Sequence, residues 1–223
     1  MVNRPTLDEL ANRHQTDKGT QYGGPSKHGY APSYDNILSQ WRDEPIRMLE
    51  IGVCMEYTGG GQSINMWVEY FEKAKIYTFD IVDMSQHPSI TGNERVTFFR
   101  GDQSNRDDFK LMHTEFGNTD FDVILEDGSH IHEHQIISLG HLFQYVKPGG
   151  YYILEDISIP GHEVCCIRND ETYNVLTSYL KNGKFNTPYL TKEEAEYLKN
   201  NIQSIDMVVD VQDAYITAII HKK

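Results

Sequence analysis

The sequence predicts an α/β fold with a mostly parallel sheet that finishes in an antiparallel hairpin. Three observations lead there. Strand-like apolar runs alternate with helix-like segments through the middle of the chain, two more apolar runs close it around a short polar turn, and polar residues collect at the ends of the strand-like runs.

The elements follow in order. Residues 7–14 read as a short helix. A polar, Gly-rich stretch, DKGTQYGGPSKHGY, covers residues 17–30. Lys18, Tyr22, Lys27, His28 and Tyr30 are costly choices for an idle spacer, so an ordered loop or lid is expected there. Residues 33–42 read as a helix ending before Pro45. These first 45 residues form an N-terminal section of helices and a lid-like segment, and residues 46–223 form the main body of one compact domain. Strands are expected at IRMLEI (46–51), KIYTFDI (75–81), RVTFF (95–99), FDVILE (121–126) and YYILED (151–156). Helices are expected between them at 63–71, 105–115 and 131–145. Strand–helix–strand order at this spacing calls for parallel pairing and right-handed crossovers. Pro148-Gly149-Gly150 marks a turn into the fifth strand. Residues 169–181 and 191–200 read as helices, and SIDMVVD (204–210) and AYITAII (214–220) as a hairpin with Asp213 near its turn.

Composition narrows the function. The 223 residues carry 20 basic and 33 acidic side chains, a net charge of -13, which argues against nucleic acid as the main partner. Three cysteines exclude a disulfide-rich scaffold; Cys165 and Cys166 are adjacent, Cys54 stands alone, and none makes a zinc-ligand pattern. The opening residues lack an apolar signal segment and no run reaches transmembrane length, so a cytoplasmic protein with no membrane partner is expected.

Ligands of open parallel sheets sit beyond the carboxyl ends of the strands. Here those ends carry Glu50 and Gly52, Asp80 and Asp83, Gly101-Asp102-Gln103-Ser104, Glu126-Asp127-Gly128-Ser129-His130, and Glu155-Asp156. So many carboxylates repel unless a cation or cationic ligand joins them. The first strand leads into EIGVCMEYTGGG, which is neither the GxGxxG dinucleotide fingerprint nor a phosphate loop. A Gly-rich turn, acidic ends on two strands and no phosphate clamp suit S-adenosylmethionine, with Asp80 accepting from the ribose hydroxyls and Asp102 and Gln103 on the adenine or amino-acid side. Glu50, Gly52, Ser63, Asp80, Asp102 and Gln103 make up the expected cofactor-binding set. Asp127, Glu155 and Asp156 form an oxygen-only set suited to Mg²⁺, whereas zinc would recruit Cys or His. His130, just ahead of a helix, is the best general base in the chain, with Asp127 its catalytic neighbour. His132 and His134 read as helix surface or packing, and HEHQI at 132–136 is not a zinc motif.

The ordered set TDKGT…HGY…Y (16–34), MLEIGV (48–53), GGGQSINMW (59–67), YTFDIVD (77–83), GDQSN (101–105), EDGSHIHEHQI (126–136) and LFQYVKPGGYYILED (142–156) resembles the metal-dependent O-methyltransferases that modify sugars on natural products, the macrolide and aminocoumarin sugar methyltransferases. The resemblance implies a class I S-adenosylmethionine-dependent methyltransferase fold, Rossmann-like, with Mg²⁺ as cofactor. It places the metal ligands on Asp127, Glu155 and Asp156, the base on His130 and the ribose carboxylate on Asp80. The segment holding Lys18, His28 and Tyr30 would fold over the acceptor. Two departures stand out: Glu126 occupies a position where such enzymes often carry Asp, and the chain has little room for the separate N-terminal domain of the macrolide relatives. The implied acceptor is a glycoside or sugar-bearing natural product, and a homo-oligomer is expected. Methylation of a catechol or polyketide phenol, and a non-catalytic binding protein on the same fold, remain alternatives. Residues 157–190 are expected to form the acceptor wall, with Cys165 and Cys166 at an apolar contact or an inert turn.

Overall fold

A computed structural model describes residues 4–21, 27–53, 59–158, 170–210 and 215–223. Its strands are β1 (Arg47–Ile51), β2 (Lys75–Asp80), β3 (Val96–Arg100), β4 (Phe121–Glu126), β5 (Val146–Ser158), β6 (Ile202–Val209) and β7 (Tyr215–Lys222). They form one sheet in the order β3-β2-β1-β4-β5-β7-β6, parallel from β3 through β5, with β7 antiparallel to both of its neighbours. The expected parallel sheet and closing hairpin are both present. Strand order reverses between β1 and β4, so the crevice beyond their carboxyl ends is the natural ligand site of this topology.

Helices cover both faces: α1 (Leu7–His14), α2 (Ala31–Leu38), α3 (Gln62–Tyr70), α4 (Pro88–Thr91), α5 (Arg106–Glu115), α6 (His132–Leu142), α7 (Asp170–Asn182) and α8 (Lys192–Asn201). Alternation along the strands sorts the core. Met48, Val123, Leu125 and Ile153 pack with Leu10, Tyr34 and Trp67 on one face. Leu49, Ile51, Ile124 and Leu154 pack with Phe109, Leu139 and Leu198 on the other. Burial on both faces explains why the strands read as nearly unbroken apolar runs. Thr6 and Glu9 form a reciprocal capping box that fixes the start of α1. No helix among the described residues is long and apolar enough to cross a membrane.

Several expected boundaries move. The helix expected at 33–42 starts at Ala31, with Pro32 in its first turn, and gives way after Leu38 to a 3₁₀ turn at Ser39–Trp41. Pro148-Gly149-Gly150 is not a turn ahead of β5 but an irregularity inside it: Val146 already pairs with Phe121, Tyr151 with Val123, and Gly149 takes φ 77°. The four-residue helix α4 carries no strong apolar period and was not expected. Tyr22, Cys54, Cys165, Cys166 and the Asp213 turn lie outside the described residues.

A second irregularity shapes the site. Leu154 pairs with Ala218 but Ile157 with Ile216, so β5 carries one extra residue opposite β7. Asp156 within this bulge has φ 56°. In a regular strand Glu155 and Asp156 would point to opposite faces; here both meet the same N-terminal segment.

Candidate active site

The carboxyl ends of β4 and β5 assemble the acidic centre. Ile51 accepts from the Asp127 amide at 2.9 Å, which seats the chain after β4 against the end of β1. Gly52 is required here for a steric reason: it has φ 82°, and a Cβ would strike the Asp127 carbonyl and the Gly128 Cα. The close approach is thus by the chain's own backbone. Gln103 holds the same loop from the β3 side. Its Oε1 accepts from the Ser129 amide at 2.7 Å, its Nε2 donates to Glu126 at 2.8 Å, and a Cβ on Gly128 would strike its amide. These contacts make Gln103 a clamp on the loop that carries Asp127.

Asp127, His130 and Asp156 each present one ligand atom, all within 4.8 Å of one another. His130 Nε2 stands 3.7 Å from Asp127 Oδ1 and 3.9 Å from Asp156 Oδ2. His130 takes φ 55° and Asp156 φ 56°, left-handed values that cost non-glycine residues about 1 kcal/mol or more each. Two of the four non-glycine residues with left-handed φ among the described residues thus sit in this one cluster. Burial opposes charge on His130, but Asp156, Asp127 and Glu126 outweigh it and raise its pKa above the ordinary imidazole value.

Glu155 stands behind the cluster and is 1% exposed. Its Oε1 accepts from the Tyr34 hydroxyl at 2.8 Å and its Oε2 from the Lys18 ammonium at 2.9 Å. Lys18 also donates to Asp127 and is itself 1% exposed. Burial pulls its pKa down, yet Asp127, Glu155 and Asp17 hold it well above the usual lysine value. Burial and then Asp127 push the Glu155 carboxyl up. Tyr30 donates to Asp156 Oδ1 at 3.1 Å, and His28 Nε2 lies 3.2 Å from Asp156 Oδ2. Lys18, His28 and Tyr30 are therefore gathered on the carboxylates, together with Tyr34. Tyr34 closes the HGY…Y run, a signal that gave no hint of its hydrogen bond to Glu155. Asp210, at the end of β6, was missed entirely; a lone Asp in a hairpin carries no motif.

The ends of β1 and β2 form the neighbouring half of the rim. Glu50 is fully buried at the end of β1. Burial raises its pKa to about 7, with Lys18, Ser63 and Trp67 pulling the other way. Asp80 is 7% exposed, and its oxygens accept from the amides of Val53 and Val82, both at 2.8 Å. Ser63 lies in the first turn of α3. Asp102 accepts from the Ser104 amide at 2.8 Å, which lowers its pKa. Asp83 does not join the rim: it is exposed and caps Ser85 at 2.9 Å. Glu126, fully buried beneath the loop, has its pKa raised to about 7 by burial, with His130 and Gln103 opposing. His134 bonds Ser129 at 2.9 Å and His132 bonds Thr172 at 2.9 Å, so both serve packing around α6.

The strand order, the acidic rim and the closing hairpin are those of the class I S-adenosylmethionine-dependent methyltransferases. A solved structure of MycE methyltransferase from the mycinamycin biosynthetic pathway, in complex with Mg, SAH and mycinamycin VI, superposes with a TM-score of 0.72 at 27% identity, over 99% of this chain and 55% of MycE. A putative rRNA methylase from Clostridium thermocellum shares the fold alone, with a TM-score of 0.53 at 14% identity over 88% of this chain and 98% of its own. No family model matches. Among curated proteins, demethylmacrocin O-methyltransferase of Streptomyces fradiae is 36% identical over 69% of this chain and 37% of its own length. Mycinamycin VI 2''-O-methyltransferase of Micromonospora griseorubida is 35% identical over 69% and 36%. The curated relatives, at 31–36% identity, are sugar O-methyltransferases of macrolide and tetracenomycin biosynthesis, as the sequence motifs led one to expect. The chain spans little more than a third of the length of these relatives.

Proposed function

We propose that this chain is an S-adenosylmethionine- and Mg²⁺-dependent O-methyltransferase acting on a sugar hydroxyl of a glycosylated natural product. The observation that carries the reading is the convergence of Asp127, His130 and Asp156, with ligand atoms within 4.8 Å of one another, at the β4 and β5 ends beside the acidic ends of β1 and β2. The donor set fits both groups. Asp127, Glu155 and Asp156 would hold a hard divalent ion through oxygen, with His130 alongside. Glu50 and Asp80 are buried carboxylates at the ends of neighbouring parallel strands, which fits a ligand with ribose hydroxyls and an ammonium group. When bound, the ion would polarise the acceptor hydroxyl and S-adenosylmethionine would supply the methyl group.

The chain's own residues then have definable tasks. His130, part-exposed at the mouth of the cluster, takes the proton from the acceptor hydroxyl as the new C–O bond forms. The neighbouring carboxylates stabilise the resulting imidazolium, which is why they sit within 4 Å of the ring. Lys18, Tyr30 and Tyr34 close the side facing the N-terminal segment and keep the carboxylates oriented. Glu50 and Asp80 orient the donor so that its methyl group faces the acceptor.

Labelled S-adenosylmethionine offered with demethylated macrolide or rhamnosyl polyketide glycosides, and separately with catechols, tests the reading. Transfer to a glycoside that stops in excess chelator is expected. Transfer to catechols alone would shift the acceptor class, and transfer undiminished by chelator would defeat the ion's role.

A further inference from the structure

We propose that Asp210 and His28 act as a positioning pair that fixes the Asp156 carboxylate for ion binding. This rests on the metal-dependent reading above. Three remote parts of the chain meet here: His28 from the N-terminal segment, Asp156 from the β5 bulge and Asp210 from the end of β6. His28 Nε2 lies 3.2 Å from Asp156 Oδ2, and Nδ1 lies 3.4 Å from Asp210 Oδ2. The ring stacks on Tyr30 at 5.4 Å and meets the edge of Tyr215 at 5.3 Å, so it has little freedom to turn. Its backbone amide is tied to the Asp17 carbonyl at 2.9 Å. Asp210 is 4% exposed, and its amide donates to the Tyr215 carbonyl at 2.8 Å, closing the β6–β7 ladder. The imidazole faces this buried carboxylate.

The reason such a pair is needed lies in Asp156. Its backbone is held at φ 56°, away from the conformations an aspartate prefers. Tyr30 grips one carboxylate oxygen and His28 the other. Asp210 fixes the ring that does the gripping. Partners of this kind behind a ligating carboxylate contribute about 10-fold to 100-fold in metal affinity.

The test is Mn²⁺ binding, read by electron paramagnetic resonance and calorimetry in the presence of S-adenosylhomocysteine. Asp210→Ala is expected to weaken Mn²⁺ binding by about 10-fold to 100-fold. It should raise the metal concentration needed for half-maximal rate while leaving kcat at saturating metal within about threefold. S-adenosylhomocysteine affinity without metal should stay unchanged. Asp210→Asn, which keeps an acceptor for the ring, should recover most of the loss, and it carries the test if the alanine variant does not fold. His28→Ala combined with Asp210→Ala should be no worse than His28→Ala alone. Wild-type Mn²⁺ affinity in Asp210→Ala would overturn the pair, as would a parallel loss of metal and S-adenosylhomocysteine binding. Absence of Mn²⁺ binding by the unaltered chain would overturn the metal-dependent reading and the pair with it, an outcome distinct from an indifferent variant.

Discussion

Lys18 sets the energetics of the acidic centre in the metal-free chain. A buried ammonium between Asp127 and Glu155 is stable because each partner offsets the desolvation of the other, and removing one member leaves charge uncompensated. Lys18→Met should therefore lower stability in chelator by about 3–5 kcal/mol, and Mg²⁺ should restore part of it. The same variant should bind Mn²⁺ more tightly, since no ammonium competes for Asp127 and Glu155. Calorimetric unfolding with and without metal reads both signs; an unchanged melting temperature in chelator would remove Lys18 from this role. At His130 the expectation is kinetic. His130→Ala should reduce the single-turnover methyl-transfer rate by about 10²-fold to 10⁴-fold with S-adenosylhomocysteine binding intact. An unchanged rate would show that the proton leaves by another route.

The bulge in β5 is the element that makes the site possible, because it turns Glu155 and Asp156 toward one N-terminal segment where a regular strand would part them. The loop after β4 is set just as firmly, by Gly52 beneath it and Gln103 beside it. Gly52→Ala would combine a left-handed backbone with a clash against the Asp127 backbone. A loss of about 2 kcal/mol or more in stability is expected, with Mn²⁺ affinity falling further than S-adenosylhomocysteine affinity. Equal losses in the two ligands would mean that the glycine shapes the β1 end and not the ion loop. The strands themselves were legible because apolar runs buried on both faces stand out from their polar ends. The bulge, the two strained residues and the break at Pro148-Gly149-Gly150 were not, since each depends on pairing with a strand distant in sequence.

Stability of the whole domain should respond to pH through Glu50. Its carboxyl titrates near 7 in the folded chain against an ordinary value of 4.5, so the folded state binds the extra proton between those limits. Its contribution to stability is full below pH about 4.5 and is lost as pH rises through about 7, on the order of 3 kcal/mol in all. Glu50→Gln should flatten this fall and stabilise the metal-free chain at pH 8; a steeper fall would reverse the sign. At this scale the sequence exposed the architecture and the acidic rim, because strand ends in a parallel sheet must converge. It did not expose Asp210 or the Lys18 contacts, which arise only when the N-terminal segment and the hairpin fold onto β5. Nor did it show that Glu155 is engaged by Lys18 and Tyr34 in the metal-free chain while Asp127, His130 and Asp156 face one another. Crystals grown with Mn²⁺ and S-adenosylhomocysteine bear on that centre most directly through anomalous scattering. One manganese peak bounded by the carboxylates of Asp127 and Asp156 is expected; well-occupied cofactor with no peak between those two side chains would contradict it.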